Sequence, residues 1–380
     1  MRRRAALQKL ALLGAATGFA SWPVRAANAR AGFVYVGPRR DWGWNESHAI
    51  TAPSLARLSG ATSEASVPES TDYDSGKDTP ETRAYAQAIE GLIAGGAGLV
   101  FSTSVGHDPF LRAAATQHPE VAFRQVSLLP MEANPANLGS QNALINQGHF
   151  VNGVAAGLCT RTNRMGFVAG LPFGSVLLNV NSFLLGCRRT NPKATVQVIF
   201  TGGWGEAARD VAATNALVDA GCDVITCHLD APKAVIATAE ARGARTCGHA
   251  FDQAPLAPRG YVTGADYHWS DMFTGFVEAR RAGGVPPAFL TGGYDRDYVR
   301  SEPVRRGCHR GYHSGGNRRH RSHEEERSDL RRSARRQCGQ AGRSGRDGAR
   351  SLCRAAPAHG LPARRRHQSG PMTDARFPFH

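Results

Sequence analysis

The sequence predicts an α/β protein of two doubly wound lobes, each a parallel sheet clad in helices, with a ligand cleft between them. Three observations carry this expectation. Short apolar strands alternate with amphipathic helical stretches from Gly32 to Gly264. The alternation comes in two series, the second restarting near Gly166. A chain of 380 residues is long enough to give each series its own core.

Residues 1–29 read as an export signal. Arg2-Arg3-Arg4 is a charged start, Leu10 to Phe19 a short apolar run, and small residues follow at Val24-Arg25-Ala26 and Ala27-Asn28-Ala29. Arg3-Arg4 before Leu7-Gln8-Lys9 has the look of a twin-arginine signal. The apolar run is shorter than the roughly 20 residues of a membrane span. The expected location is therefore periplasmic.

Residues 30–155 are expected to form lobe 1. Gly32 to Val36 is its first strand, followed by a helical stretch from His48 to Leu58. Thr79-Pro80-Glu81 opens a helix with a capping hydroxyl, a Pro at the first position and an acid in the first turn. Ala84, Ile89, Leu92 and Ile93 fit its buried face. Leu99 to Phe101 is a strand ending in Ser102-Thr103-Ser104; Asp108-Pro109 opens a helix; Val121 to Phe123 is the next strand.

Residues 156–264 are expected to form lobe 2. Strands at Gly166–Ala169, Val196–Phe200, Asp223–Thr226, Arg245–Gly248 and Tyr261–Gly264 alternate with helices at Ser175–Arg189, Glu206–Asp219 and Pro232–Arg242. Residues 265–300 are expected to cross back to lobe 1.

Ligands of such folds sit outside the carboxyl ends of the strands. Those ends hold the candidate site. Asp41, Trp44 and Asn45 follow the first strand, where a carboxylate and an indole can hydrogen-bond and stack on a flat heterocycle. Trp204 follows a second-lobe strand and could close on the other face of the same ring. Asp230 and Asp252 end later strands; Asp230, just before Ala231-Pro232, reads as a cap for the next helix.

No catalytic motif is present. Gly-x-Ser-x-Gly, Gly-x-x-x-x-Gly-Lys and His-Glu-x-x-His are all missing. Cys159, Cys187, Cys222, Cys227, Cys247, Cys308, Cys338 and Cys353 form no Cys-x-x-Cys pair, which argues against a zinc or redox motif. Cys222, Cys227 and Cys247 read as buried thiols. No cofactor, no metal and no catalytic residue are expected.

The formal charge of +15 suggests a nucleic-acid partner, but its distribution does not. Residues 301–380 carry 19 Arg, no Lys and 7 acidic residues, and five more basic residues lie in the signal. The body is close to neutral, so no nucleic-acid face is expected.

The quoted segments resemble one family. Gly32 to His48, with Asp41-Trp42-Gly43-Trp44-Asn45, is similar to the opening of the basic membrane protein family, the purine-nucleoside-receptor type of ABC-importer substrate-binding proteins. Phe101 to Ser104, Gln147-Gly148 with Gly153, Val180 to Phe183 with Gly186, Gly221 to Thr226 with His228, and Gly292-Gly293-Tyr294 extend the resemblance over residues 31–300. It implies a type I periplasmic-binding fold with three crossings between lobes. It implies a purine base or nucleoside as ligand, ABC permease subunits as partners, a monomer, and no enzymatic activity. Carried over by position, Asp41, Trp44, Asn45, Ser102, Thr103, Ser104, Trp204 and Asp252 are the ligand-binding residues. Leu144 stands where close relatives have a basic residue, and Gln147 where they have Glu. Alternatives are a ligand-sensing receptor lobe of the same fold, or an α/β enzyme acting on a nucleoside.

From Ser301 the periodicity ends. Residues 301–380 read as a disordered tail produced by a frameshift, since one shifted frame can restore a family-like Ser-Pro-Tyr-Gly and a later Gly-Pro-Leu-Ala-Asp-Asn.

Overall fold

The first β–α series builds a six-stranded sheet in the computed structural model, which describes residues 28–67, 79–104, 106–127, 129–130, 134–284 and 286–304. Residues 1–27 of the expected signal, and the expected tail from residue 305, lie outside the described residues. In chain order, this series runs β1 (Ala31–Tyr35), α1 (Trp44–Ala49), α2 (Ala52–Ser59), β2 (Thr62–Ser66), α3 (Pro80–Ala94), β3 (Leu99–Ser102), α4 (Asp108–Gln117), β4 (Ala122–Val126) and β5 (Leu138–Ala143). Helix α5 (Asn146–Cys159) leads to β6 (Arg164–Ala169), α6 (Gly174–Thr190), β7 (Thr195–Phe200), α7 (Ala207–Asp219), β8 (Val224–His228), α8 (Lys233–Ala241), β9 (Arg245–Ala250) and β10 (Tyr261–Tyr267). Helix α9 (Ser270–Arg281), β11 (Phe289–Gly292) and β12 (Val299–Ser301) close the described chain.

The sheets have the orders β11-β5-β4-β3-β1-β2 and β12-β10-β9-β8-β6-β7. Every pairing is parallel except β10 with β12. Parallel strands covered on both faces need apolar side chains on both, and β1 is buried at every position. Phe33, Phe101 and Phe273 pack on one face of the first sheet, and Val34, Val100 and Ile89 on the other. The second sheet is flanked likewise by Phe167 and Phe183, and by Val168, Ile225 and Leu217. Cys222, Cys227 and Cys247 are buried free thiols within these cores.

Local chemistry sets the boundaries. Thr79 Oγ1 accepts from the Thr82 amide, and Pro80 stands at the start of α3. The buried stripe of α3 is Tyr85, Ile89 and Leu92, so Tyr85 takes the place expected for Ala84, which is exposed. The single helix expected from His48 to Leu58 is two helices. Pro53 stands at the start of α2, where its missing N–H is tolerated.

The chain passes between the sheets three times: from β5 to β6, from β10 to α9, and from β11 to β12. The last pass returns the chain to the second sheet through β12, which runs across the Arg300/Ser301 boundary. Helices α5 and α6 meet at backbone distance. A Cβ on Gly153 would lie 2.1 Å from the Phe183 carbonyl oxygen, and one on Gly186 would lie 2.1 Å from that of Phe150. These two glycines belong to the segments that carry the family resemblance, and close helix packing is their physical role.

Candidate functional site

The carboxyl ends of both sheets' strands face one cleft of about 560 Å³. From the first series come Trp44, Thr103 and Ser104, then Val126, Ser127 and Leu129 at and just after the end of β4, and Asn142 to Asn146 at the end of β5. From the second come Phe173, Gly174, Ser175, Leu178 and Asn179 around the start of α6, then Trp204, His228, Asp230 and Tyr267. Among the described residues Asp230 is the one acid on this wall, and no Lys or Arg lines it.

Four of the eight sequence-predicted residues line the cleft: Trp44, Thr103, Ser104 and Trp204. The Trp44 indole N–H donates to the Thr103 carbonyl oxygen at 3.0 Å. Its ring meets His48, Tyr267 and Trp269 edge-on, with centroids 4.5, 5.2 and 5.9 Å away. The indole is therefore fixed in place by its surroundings. Trp204 sits between Phe173 and His228, at 5.7 and 6.1 Å between centroids.

The other four lie behind the wall. The Asp41 carboxylate accepts from the amides of Gly43, Asn45 and Glu46 and from the Asn45 side chain, at 2.8–3.0 Å. Asn45 Oδ1 in turn accepts from the Val36 amide at 3.0 Å, tying the loop to the end of β1. Ser102 accepts from the Tyr85 hydroxyl and donates to the Ser104 carbonyl, which shapes the loop after β3. Asp252 accepts from the Ala254 amide at 2.8 Å. The two later acids thus exchange the parts expected of them. Asp252 caps a short turn, while Asp230 lines the cleft and α8 starts without a side-chain cap.

Beneath the cleft lies a group of histidines. His149 Nε2 and His249 Nδ1 are 2.9 Å apart, and the His228 and His249 rings lie 4.5 Å apart. Burial lowers His228 to about 4, and burial with the neighbouring His228 lowers His149 to about 3. Burial, then His228 and His149, holds His249 well below the usual range. Burial thus favours the uncharged imidazole for all three. The Asn179 amide stands 2.8 Å from His228 Nδ1.

Among the described residues one set could hold a cation: His268, Asp271 and Asp297, outside the cleft. Asp297 already pairs with Arg300. No described helix is long and apolar enough to cross a membrane.

Sequence reasoning missed Tyr267, Phe173, Asn142 and Asn179. The strand expected over Tyr261–Gly264 runs on to Tyr267, and β5 carries polar Ser140, Gln141 and Asn142 that give no apolar run.

Residues 28–281 match the family described as ABC transporter substrate-binding protein, PnrA-like. The chain is 29% identical over 245 residues to a purine-binding protein of Brucella abortus, covering 64% of this chain and 66% of that one. It is 27% identical over 278 residues to a putative ABC transporter glucose-binding protein of Haloferax volcanii, covering 72% and 66%. The chain thus spans just under two thirds of the length of either relative. Among solved structures, an ABC transporter solute-binding protein from Aeropyrum pernix superposes with a TM-score of 0.61 at 15% identity, over 72% of this chain and 76% of that one. This places the fold among the two-lobed type I periplasmic binding proteins.

Proposed function

The chain belongs to the PnrA-like family of ABC transporter substrate-binding proteins, and from that premise we propose that it captures a purine base or nucleoside. The observation that carries this reading is the cleft wall, which among the described residues holds an indole from each lobe, Trp44 and Trp204, one carboxylate, Asp230, and no cationic side chain. Two indoles suit a flat heterocycle. A single carboxylate suits its N–H or O–H donors. The described wall offers a phosphate no Lys or Arg side chain. The purine-binding relative from Brucella abortus supports the same ligand class.

In this reading Trp44, Thr103, Ser104, Trp204 and Asp230 touch the ligand. Asp41, Asn45 and Ser102 hold the two first-lobe loops in place, and Asp252 shapes the turn after β9. The protein is an exported monomer that binds in the periplasm, does not turn its ligand over, and delivers it to the permease subunits of an importer.

A thermal-shift screen of the full chain against purine bases, nucleosides, glucose and amino acids tests this. At 100 times its dissociation constant a true ligand adds about 2.7 kcal/mol, or roughly 5–10 °C for a protein of this size. A purine nucleoside should give that shift. A shift with glucose and none with any purine would overturn the ligand assignment.

A further inference from the structure

We propose that Gln253 is a positioning residue that latches the first-lobe loop Trp42–Trp44 over the cleft. Gln253 is fully buried three residues past the end of β9, at the start of the turn Ala254–Leu256. Its Nε2 donates to two carbonyls, that of His249 at 2.5 Å and that of Trp42, on the other lobe, at 2.8 Å. Its Oε1 accepts from the His249 amide at 3.2 Å. Two acceptors on one side and a donor on the other fix the orientation of the amide, since the reversed group would face like against like.

Two further observations point to the same device. Trp42 has φ +62°, a left-handed backbone that a bulky residue adopts only when its surroundings impose it. What imposes it is on both sides of the peptide: the Trp42 amide donates to Glu46 Oε2, and its carbonyl accepts from Gln253. Two residues on, the Trp44 amide donates to the Asp230 carbonyl at 2.9 Å. Gly43 between them leaves no room for a side chain. A Cβ there would lie 2.1 Å from the Asp230 oxygen and 2.5 Å from Pro232 Cδ.

The latch is therefore a two-point backbone clasp, and it shares its residues with the cleft. Trp44 and Asp230 each put a side chain on the cleft wall and a backbone group into the clasp. A ligand that orders those side chains also aligns the clasp, and the clasp holds the indole over the ligand. Gln253 touches no ligand; it acts by holding Trp42.

Hydrogen exchange in the full chain tests the latch without any ligand. In Gln253→Ala, exchange of the Trp44 amide should quicken about five-fold, the scale of one ordinary hydrogen bond, while amides of the β8 core keep their rates. Gly43→Ala, which leaves Gln253 and its His249 bonds intact, should quicken it at least as much. An unchanged Trp44 amide in Gln253→Ala would overturn the proposal, whatever Gly43→Ala does.

The link to binding rests on the purine reading and is measured separately with adenosine. The latch should appear as a faster dissociation rate in both variants, with the association rate within about two-fold. Residues that merely support the fold would lower the melting temperature without this split. If adenosine fails to bind the unaltered chain, the purine reading falls and the exchange result alone decides the latch.

Discussion

Replacing Asp41 with Ala should loosen the first-lobe loop and, through it, the cleft. The carboxylate is 7% exposed and accepts four hydrogen bonds, three from backbone amides at the start of α1. Loss of a helix-start acceptor costs about 1 kcal/mol. Each further buried N–H left without a partner costs about 1–3 kcal/mol. Water reaching the loop recovers part of this, leaving a destabilisation on the order of 3 kcal/mol. Scanning calorimetry of the full chain should show a melting temperature lower by roughly 6–12 °C. Asp41→Asn keeps the shape and one acceptor oxygen, so it should fall between Ala and the unaltered protein. Ligand affinity should drop in both, because Asn45 and Trp44 are placed by the same loop. A shift below about 2 °C in Asp41→Ala would refute the reasoning.

Other perturbations read other parts of the account. Asp210 is fully buried in α7, and burial with the nearby Glu206 charge raises its carboxyl from 3.8 to about 6. A carboxyl raised on folding contributes stability below pH 3.8 and loses it as pH rises through 6. Asp210→Asn should therefore gain about 1–3 kcal/mol over the unaltered protein at pH 7.5 and little at pH 4, in urea titrations. Equal effects at both pH values would contradict this. Buried Arg124 donates to the carbonyls of Pro286 and Pro287 beneath the Phe276 ring, tying the segment before β11 to β4. Arg124→Ala leaves those two carbonyls without a partner, so it should cost about 2–3 kcal/mol and speed hydrogen exchange in β11; protection unchanged there would sink this role. Trp204→Ala should weaken nucleoside binding by about 1 kcal/mol or more, read by calorimetry, and unchanged affinity would remove Trp204 from the site.

Much of the architecture was legible because parallel sheets bury both faces of each strand. β1, β3, β6 and β8 are short apolar runs closed by Gly or polar residues, and a sequence shows that directly. β5, with Ser140, Gln141 and Asn142, and β12, only three residues long, offer no such run. The cleft was half legible. Trp44 and Trp204 stand out because an indole at a strand end has few other uses. Asp41 could not be told from a ligand contact, since a carboxylate that binds backbone amides and one that binds a nucleoside look alike in one dimension. Asp230 and Asp252 show the same limit in reverse. Only the fold reveals which acid accepts from the amide two residues on, and which lines the cleft. Gln253 gave no signal at all. Its role depends on Trp42, which lies 211 positions away in the chain.

The central claim is that a purine ring lies in the cleft between Trp44 and Trp204. Photolabelling the full chain with 8-azidoadenosine, followed by peptide mapping, tests ligand class and place together. The account predicts labelling in the peptides that contain Trp44 or Trp204, abolished by excess adenosine. Labelling that falls elsewhere, or that excess adenosine does not suppress, would contradict it.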